Sequence, residues 1–232
     1  MKKFMALLLV AGMTLSLTAC GGSTDTAKTD QADGKDTFTV GFDQDFPPFG
    51  YVGDDGEFTG FDIEMATECA ARMGKKIVLQ PIDWDAKDME LEAGTIDCIW
   101  NGFTMNGRED QYTWTDPYMD NSQVVVVKKD SGINTLADLA GKVVEVQKES
   151  AAETALNDEE HADLMASFAQ LLSVGEYNTA FMDLESGAVD AVAIDIGVAQ
   201  FQIEGKEDQY QILDETISSE QYAVGFFLGN TA

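Results

Sequence analysis

Positive charge is scarce in this chain: 14 Lys and Arg stand against 42 Asp and Glu in 232 residues, a formal net charge of −28. A surface of that sign repels nucleic acid and anionic headgroups, so neither is expected as a partner through charge. Histidine occurs once, at His161 in the acidic stretch NDEEHADLM, where an exposed side chain is expected. No CxxC pair, HExxH, P-loop, nucleophile elbow or GxGxxG is present. The usual sequence carriers of metal, nucleotide and hydrolase chemistry are therefore missing, and no metal or cofactor is expected. Long apolar runs are lacking as well. FMALLLVAGMTLSL, about fourteen mostly apolar residues, is too short to cross a hydrocarbon core of ~30 Å as a helix.

That run follows Lys2 and Lys3 and ends in Leu17-Thr18-Ala19-Cys20, the layout of a signal peptide. The four residues resemble the lipobox of bacterial lipoproteins, which implies cleavage before Cys20, lipidation of its thiol and anchoring at a membrane surface. Two acyl chains suffice for stable anchoring where one does not. The segments expected are a signal peptide at 1–19 and a polar, flexible tether at 20–36, rich in Gly, Ser, Thr, Asp and Lys. About 195 residues then remain, enough for two small lobes with real cores. Of the other cysteines, Cys69 and Cys98 each sit in an apolar pattern. Two buried free thiols are the favoured reading, with one disulfide as the alternative.

An internal repeat organises the chain. LEAGTIDCIW begins at Leu91 and LESGAVDAVA at Leu184, and each reads as a helix ending at glycine followed by a buried strand. A strand and a helix precede each copy. FTVGFDQDFPPF leads to GFDIEMATECAARMG, whose face Ile63, Ala66, Ala70 and Met73 points inward with Asp62, Glu64, Glu68 and Arg72 outside. KVVEVQKES leads to AAETALNDEEHADLM. Strand and helix alternate twice over, which predicts an α/β fold of two similar lobes with parallel sheets. SQVVVVKKD (122–130) and QYAVGFF (221–227) are expected to cross between lobes as a two-strand hinge. The expected boundaries are 37–127 plus 223–232 for the first lobe and 128–222 for the second.

Open parallel sheets bind ligands at the carboxyl ends of their strands. Those ends hold Asp43 to Phe49, Asp83 and Trp84, Asn101 to Arg108, Gln147 to Ala152, and Asp195. A guanidinium can fork a carboxylate, an aspartate can accept from an ammonium, and aromatic rings can cover an apolar stem. This inventory suits a small zwitterion.

VGFDQDFPPFGY, DDGEFTGFDIEMA, PIDWD, AGTIDCIWNGFT with the following Arg108, YTWTDPYMDNSQVVVVKK and DAVAID together resemble the extracytoplasmic solute-binding proteins that deliver polar amino acids to ABC importers. The likeness runs over residues 38–230. It implies a periplasmic-binding-protein type II-like fold, an amino-acid ligand, a permease with its ATPase as partners, and an extracytoplasmic, lipid-anchored location. By the same resemblance Arg108 takes the ligand carboxylate and Asp195 the α-ammonium. The Gly102 carbonyl, Thr104, Ser150 and the Ala151 N–H add main-chain-directed contacts, Phe46 and Trp84 sandwich the side chain, and Asp43 faces its polar end.

Three departures from the family pattern stand out. MNG between Thr104 and Arg108 is one residue short, which leaves the direction of the arginine open. KES replaces a small or Gly-rich stretch and brings Glu149 near the cleft, which with Asp43 favours neutral or cationic side chains. The chain stops at Ala232, where family members continue with helical sequence, so the C-terminal helical part of the first lobe is expected to be missing. DDGE at 54–57 reads as a hairpin turn. Two rivals share the fold, a ligand-binding sensor or adaptor lipoprotein and a dehydratase-like enzyme, and the single histidine argues against the second.

Overall fold

The computed structural model describes residues 36–230. The signal peptide, Cys20 and the tether up to residue 35 lie outside the described residues.

The first part of the chain runs β1 (Thr37–Phe42), β2 (Asp45–Phe46), β3 (Gly50–Val52), β4 (Phe58–Thr59), α1 (Phe61–Arg72), β5 (Lys76–Pro81), α2 (Lys87–Ala93), β6 (Cys98–Ile99) and β7 (Tyr112–Trp114). It continues with β8 (Met119–Lys128), β9 (Val143–Gln147), α3 (Ala151–Leu156), α4 (Ala162–Ser167), β10 (Gln170–Val174), α5 (Tyr177–Ser186), β11 (Ala191–Asp195), α6 (Ile196–Ile203), β12 (Tyr210–Ile212), β13 (Ser218–Tyr222) and β14 (Gly225–Phe227). One sheet has the order β5-β1-β6-β14-β7, and the other has β10-β9-β11-β8-β12 with β13 also on β8. A small sheet, β2-β3-β4, caps the first lobe, and the DDGE stretch turns between β3 and β4.

The repeat is realised as expected. Helices α2 and α5 both end at a left-handed glycine, Gly94 and Gly187, and each is followed by a buried strand, β6 and β11. In the first lobe β1 lies parallel to β5 and β6, and Val40 and Phe42 are fully buried. The four consecutive valines Val124–Val127 occupy the middle of β8 with strands on both sides. Successive strand residues face opposite sides, so Val124 and Val126 enter the core under α5 and α6, whereas Val125 and Val127 enter the core with α3. A strand buried on both faces reads as one apolar run.

Several expectations are corrected. The run SQVVVVKKD is not a crossing segment, because β8 pairs with β11, β12 and β13 from Met119 to Lys128 and so belongs to the second sheet. The chain crosses between sheets at 115–118 and 223–224, where Tyr118 N–H donates to Tyr222 O and Thr115 N–H to Val224 O. Asp62 points inward and is fully buried, whereas Met73 is exposed at the helix end. Cys69 and Cys98 are both free, but only Cys98 is buried and Cys69 is half-buried. His161 is half-buried rather than exposed. Phe226 is half-buried, and Phe227 is exposed beside Leu228 along a groove with Leu91 and Tyr112.

Candidate ligand-binding site

The carboxyl ends of β1, β6, β9 and β11 converge between the lobes. A narrow cleft there is lined by Phe46, Trp84, Asn101, Gly102, Thr104, Arg108, Gln147, Ser150, Ala151 and Asp195. Its free volume is about 10 Å³, room for a single water. The lobes are closed on each other.

Arg108 is buried, and its NH1 donates to Thr104 O at 3.1 Å while NH2 reaches Glu149 O at 3.4 Å. The guanidinium lies over Phe103, 5.5 Å from the ring centre. Among the described residues no carboxylate pairs with it. The neighbouring Glu109 and Asp110 are exposed instead of bridging to it. A buried guanidinium that meets only carbonyls and a ring retains the capacity to bind an anion.

Asp195 ends β11 and begins α6, and it is 4% exposed. Asn121 Nδ2 and Gln123 Nε2 each donate to its Oδ1 at 2.7 Å, and Tyr222 OH donates at 2.6 Å. No cation pairs with it among the described residues. Burial first, and the charge of Glu220 second, push its carboxyl up to about 7.

Gly102 holds φ at 56° and gives its N–H to Asp62. A Cβ there would stand 3.0 Å from Phe46 and 3.1 Å from Tyr222. Thr104 Oγ1 donates to Glu220 Oε1 at 2.7 Å. Ser150 caps α3 by accepting from Glu153 N–H at 3.1 Å, and Ala151 follows it at the cleft. Phe46 packs on Phe49 and Tyr177, with ring centres 5.8 and 6.0 Å away. Trp84 meets Phe103 edge-on at 5.4 Å. Phe46 and Trp84 thus line one space from different elements, as a sandwich requires.

Asp43 lies one step further out. It lines an adjoining cavity of about 450 Å³ that also takes in Trp84 and the carboxylates of Asp45, Asp83, Asp85, Glu90 and Glu176. Its own carboxylate accepts from Asp45 N–H at 2.8 Å and from Gln147 Nε2 at 2.7 Å. Burial raises its pKa to about 6 against those two hydrogen bonds. Glu149, expected near the cleft, has φ 57° and pairs with the buried Lys87 at 3.0 Å across the lobes. Its charge is therefore offset. A second, exposed bridge joins Lys148 to Asp85 at 2.7 Å, and Asn178 Nδ2 donates to Asp45 at 2.8 Å.

The profile of the bacterial extracellular solute-binding proteins, family 3, matches residues 38–180. The chain belongs to that family. Its relatives include the L-cystine-binding protein TcyJ of Escherichia coli, 30% identical over 229 residues that cover 97% of this chain and 82% of that protein. The arginine-binding extracellular protein ArtP of Bacillus subtilis is 36% identical over 148 residues, covering 63% of this chain and 56% of that protein. Among solved structures, an ABC uptake transporter substrate-binding protein from Streptococcus pneumoniae with bound histidine superposes with a TM-score of 0.78. It is 34% identical, with 83% of this chain and 80% of that chain covered. The two lobes are thus the type II periplasmic-binding-protein fold, and this family 3 chain is a solute-binding protein rather than an enzyme.

Asn101, Asn121, Gln123, Gln147, Glu220 and Tyr222 are site neighbours that the sequence reading did not single out. Gln147 stood at a strand end and could have been named. Gln123 lay inside a run read as hinge, and Asn121 and Glu220 each stood just ahead of one, so all three carried only a faint signal.

Proposed function

We propose that this chain is the receptor of an ABC importer that captures a neutral or basic polar amino acid between its lobes and presents it to a membrane permease coupled to an ATPase. The observation that carries the reading is a pair of unmatched charges in one cleft. Among the described residues, Arg108 is buried without a carboxylate partner and Asp195 is buried without a cation. A free amino acid supplies both missing charges, its carboxylate for Arg108 and its ammonium for Asp195.

In this reading Thr104, Ser150 and the Ala151 N–H assist at the carboxylate, and the Gly102 carbonyl assists at the ammonium. The side chain lies between Phe46 and Trp84 and points toward Asp43. Six carboxylates around the outer cavity disfavour an acidic side chain there. The volume of the closed cleft requires the lobes to part for entry, so ligand contacts from both lobes favour the closed form. Lipidation at Cys20 would hold the receptor outside the cytoplasmic membrane.

Isothermal calorimetry against the twenty amino acids plus cystine and ornithine tests the reading. Binding of a neutral or basic amino acid, lost in Arg108→Ala and in Asp195→Ala, is the expected result. A folded protein that binds none of them overturns it.

A further inference from the structure

Glu220 lies on β13 and is 7% exposed. Its Oε1 accepts from Thr104 Oγ1, Asn121 Nδ2 and Gln123 Nε2, each at 2.7 Å, and Ser218 Oγ reaches its Oε2 at 3.3 Å. The same two amide nitrogens donate at 2.7 Å to Asp195 Oδ1. Two oxygens that share donors in this way cannot be further apart than twice that distance. Each NH₂ group has two hydrogens, one for each carboxylate, so both NH₂ groups are fully used in bridging the pair.

Charge around the pair is one-sided. From β13 comes the Tyr222 hydroxyl, from α5 Tyr177, and from β8 the neutral Asn121 and Gln123. The first lobe contributes Thr104 and, in the same cleft, Arg108, whose guanidinium is turned to Thr104 O and Glu149 O. No Lys, Arg or His pairs with either carboxylate among the described residues. Two carboxylates this close in a buried site do not both ionise unless a cation joins them. The raised titration of Asp195 agrees with that expectation.

We infer that Asp195 and Glu220 form a single ammonium seat, which keeps one proton while the cleft is empty and releases it to solvent when the ligand's ammonium arrives. The inference rests on the amino-acid receptor reading. No covalent bond changes apart from the loss of that proton, and the ammonium stays protonated. The seat carries one net negative charge in both states, first as a carboxylate with a carboxylic acid, then as two carboxylates with an ammonium. Glu220 is thereby a specificity-determining residue. A ligand without a cationic nitrogen at this point leaves the proton in place and gains nothing from the seat.

The test is calorimetry of the full chain with L-arginine, L-glutamine and L-cystine, in two buffers of different ionisation enthalpy near pH 6 and near pH 8. Close to one proton should be released near pH 6 and little near pH 8, and affinity should fall about tenfold per pH unit on the acid side. Glu220→Gln should remove most of the release and flatten the pH dependence, whereas Glu145→Gln, at a buried carboxylate of β9 outside the cleft lining, should leave both in place. Binding without proton release overturns the seat while the receptor reading stands. Release that persists in Glu220→Gln, or disappears in Glu145→Gln, also overturns it, and the second comparison decides the matter if Glu220→Gln does not fold. If none of the three amino acids binds although circular dichroism shows a folded chain, the receptor reading fails and the seat with it.

Discussion

Lys87 of the first lobe, 3% exposed, holds Glu149 of the second lobe at 3.0 Å, and both stand at the rim of the cleft. The bond exists only while the lobes are closed. Removing one partner of a pair with a buried member leaves an uncompensated charge, which is strongly destabilising. Glu149→Gln should therefore weaken ligand affinity by about tenfold or more, mainly through faster dissociation, because it isolates the Lys87 ammonium in the closed form. Stopped-flow dissociation rates check this. Lys148→Ala breaks the exposed bridge to Asp85 and should change affinity less than about threefold, since solvent already screens that pair.

Arg108 makes its two described hydrogen bonds to main-chain carbonyls and leans on Phe103. A lysine would keep the charge but lose the planar fork and the stacking. Arg108→Lys should therefore lower ligand affinity by about a hundredfold. Circular dichroism should show the fold unchanged. An affinity within about threefold of wild type would mean that the arginine does not grip the carboxylate by its fork.

Gly102 combines a left-handed φ of 56° with neighbours 3.0 and 3.1 Å from the position of an added Cβ. Gly102→Ala meets both penalties, backbone strain and overlap with Phe46 and Tyr222. A loss of about 1–2 kcal/mol in unfolding free energy is expected. Ligand affinity should fall as well, because the strained peptide is part of the cleft wall. Urea unfolding and calorimetry on the same variant read the two effects separately.

How much of this was legible in the sequence depends on what each residue answers to. Glycines ending α2 and α5 are local signals, and they located the repeat and hence the two lobes. Arg108 and Asp195 stood at strand ends, where sheet geometry alone makes them candidates. Asp62 was misread because helical periodicity sees only a charged residue beside Ile63. Its inward place is set by Gly102 N–H and Tyr118 OH, 40 and 56 residues away. Glu220 was invisible for the same reason, since its partners Thr104, Asn121 and Gln123 come from other segments. The valine run in β8 was rightly read as strand but wrongly as hinge, because four apolar residues in a row say that both faces are buried and do not say in which sheet.

Stability should depend on pH in a direction opposite to the usual acid denaturation. Asp43, Asp62 and Asp195 are held above the ordinary 3.8, at about 6, about 7 and about 7, chiefly by burial. The folded state therefore binds these protons more tightly than the unfolded chain does. Between the ordinary carboxylate range and about 7 it carries more of them, so unfolding releases protons and stability falls as pH rises through that window. The net charge of −28 acts in the same direction, because protonation relieves self-repulsion. The ligand-free protein should melt higher near pH 5 than near pH 8, by on the order of 5 °C. Asp62→Asn should reduce that difference, since the amide oxygen still accepts from Gly102 N–H but no carboxylate remains at this position to ionise. Differential scanning calorimetry across the range measures it. A melting temperature that rises from pH 5 to pH 8 would show that these carboxylates are not held protonated by burial.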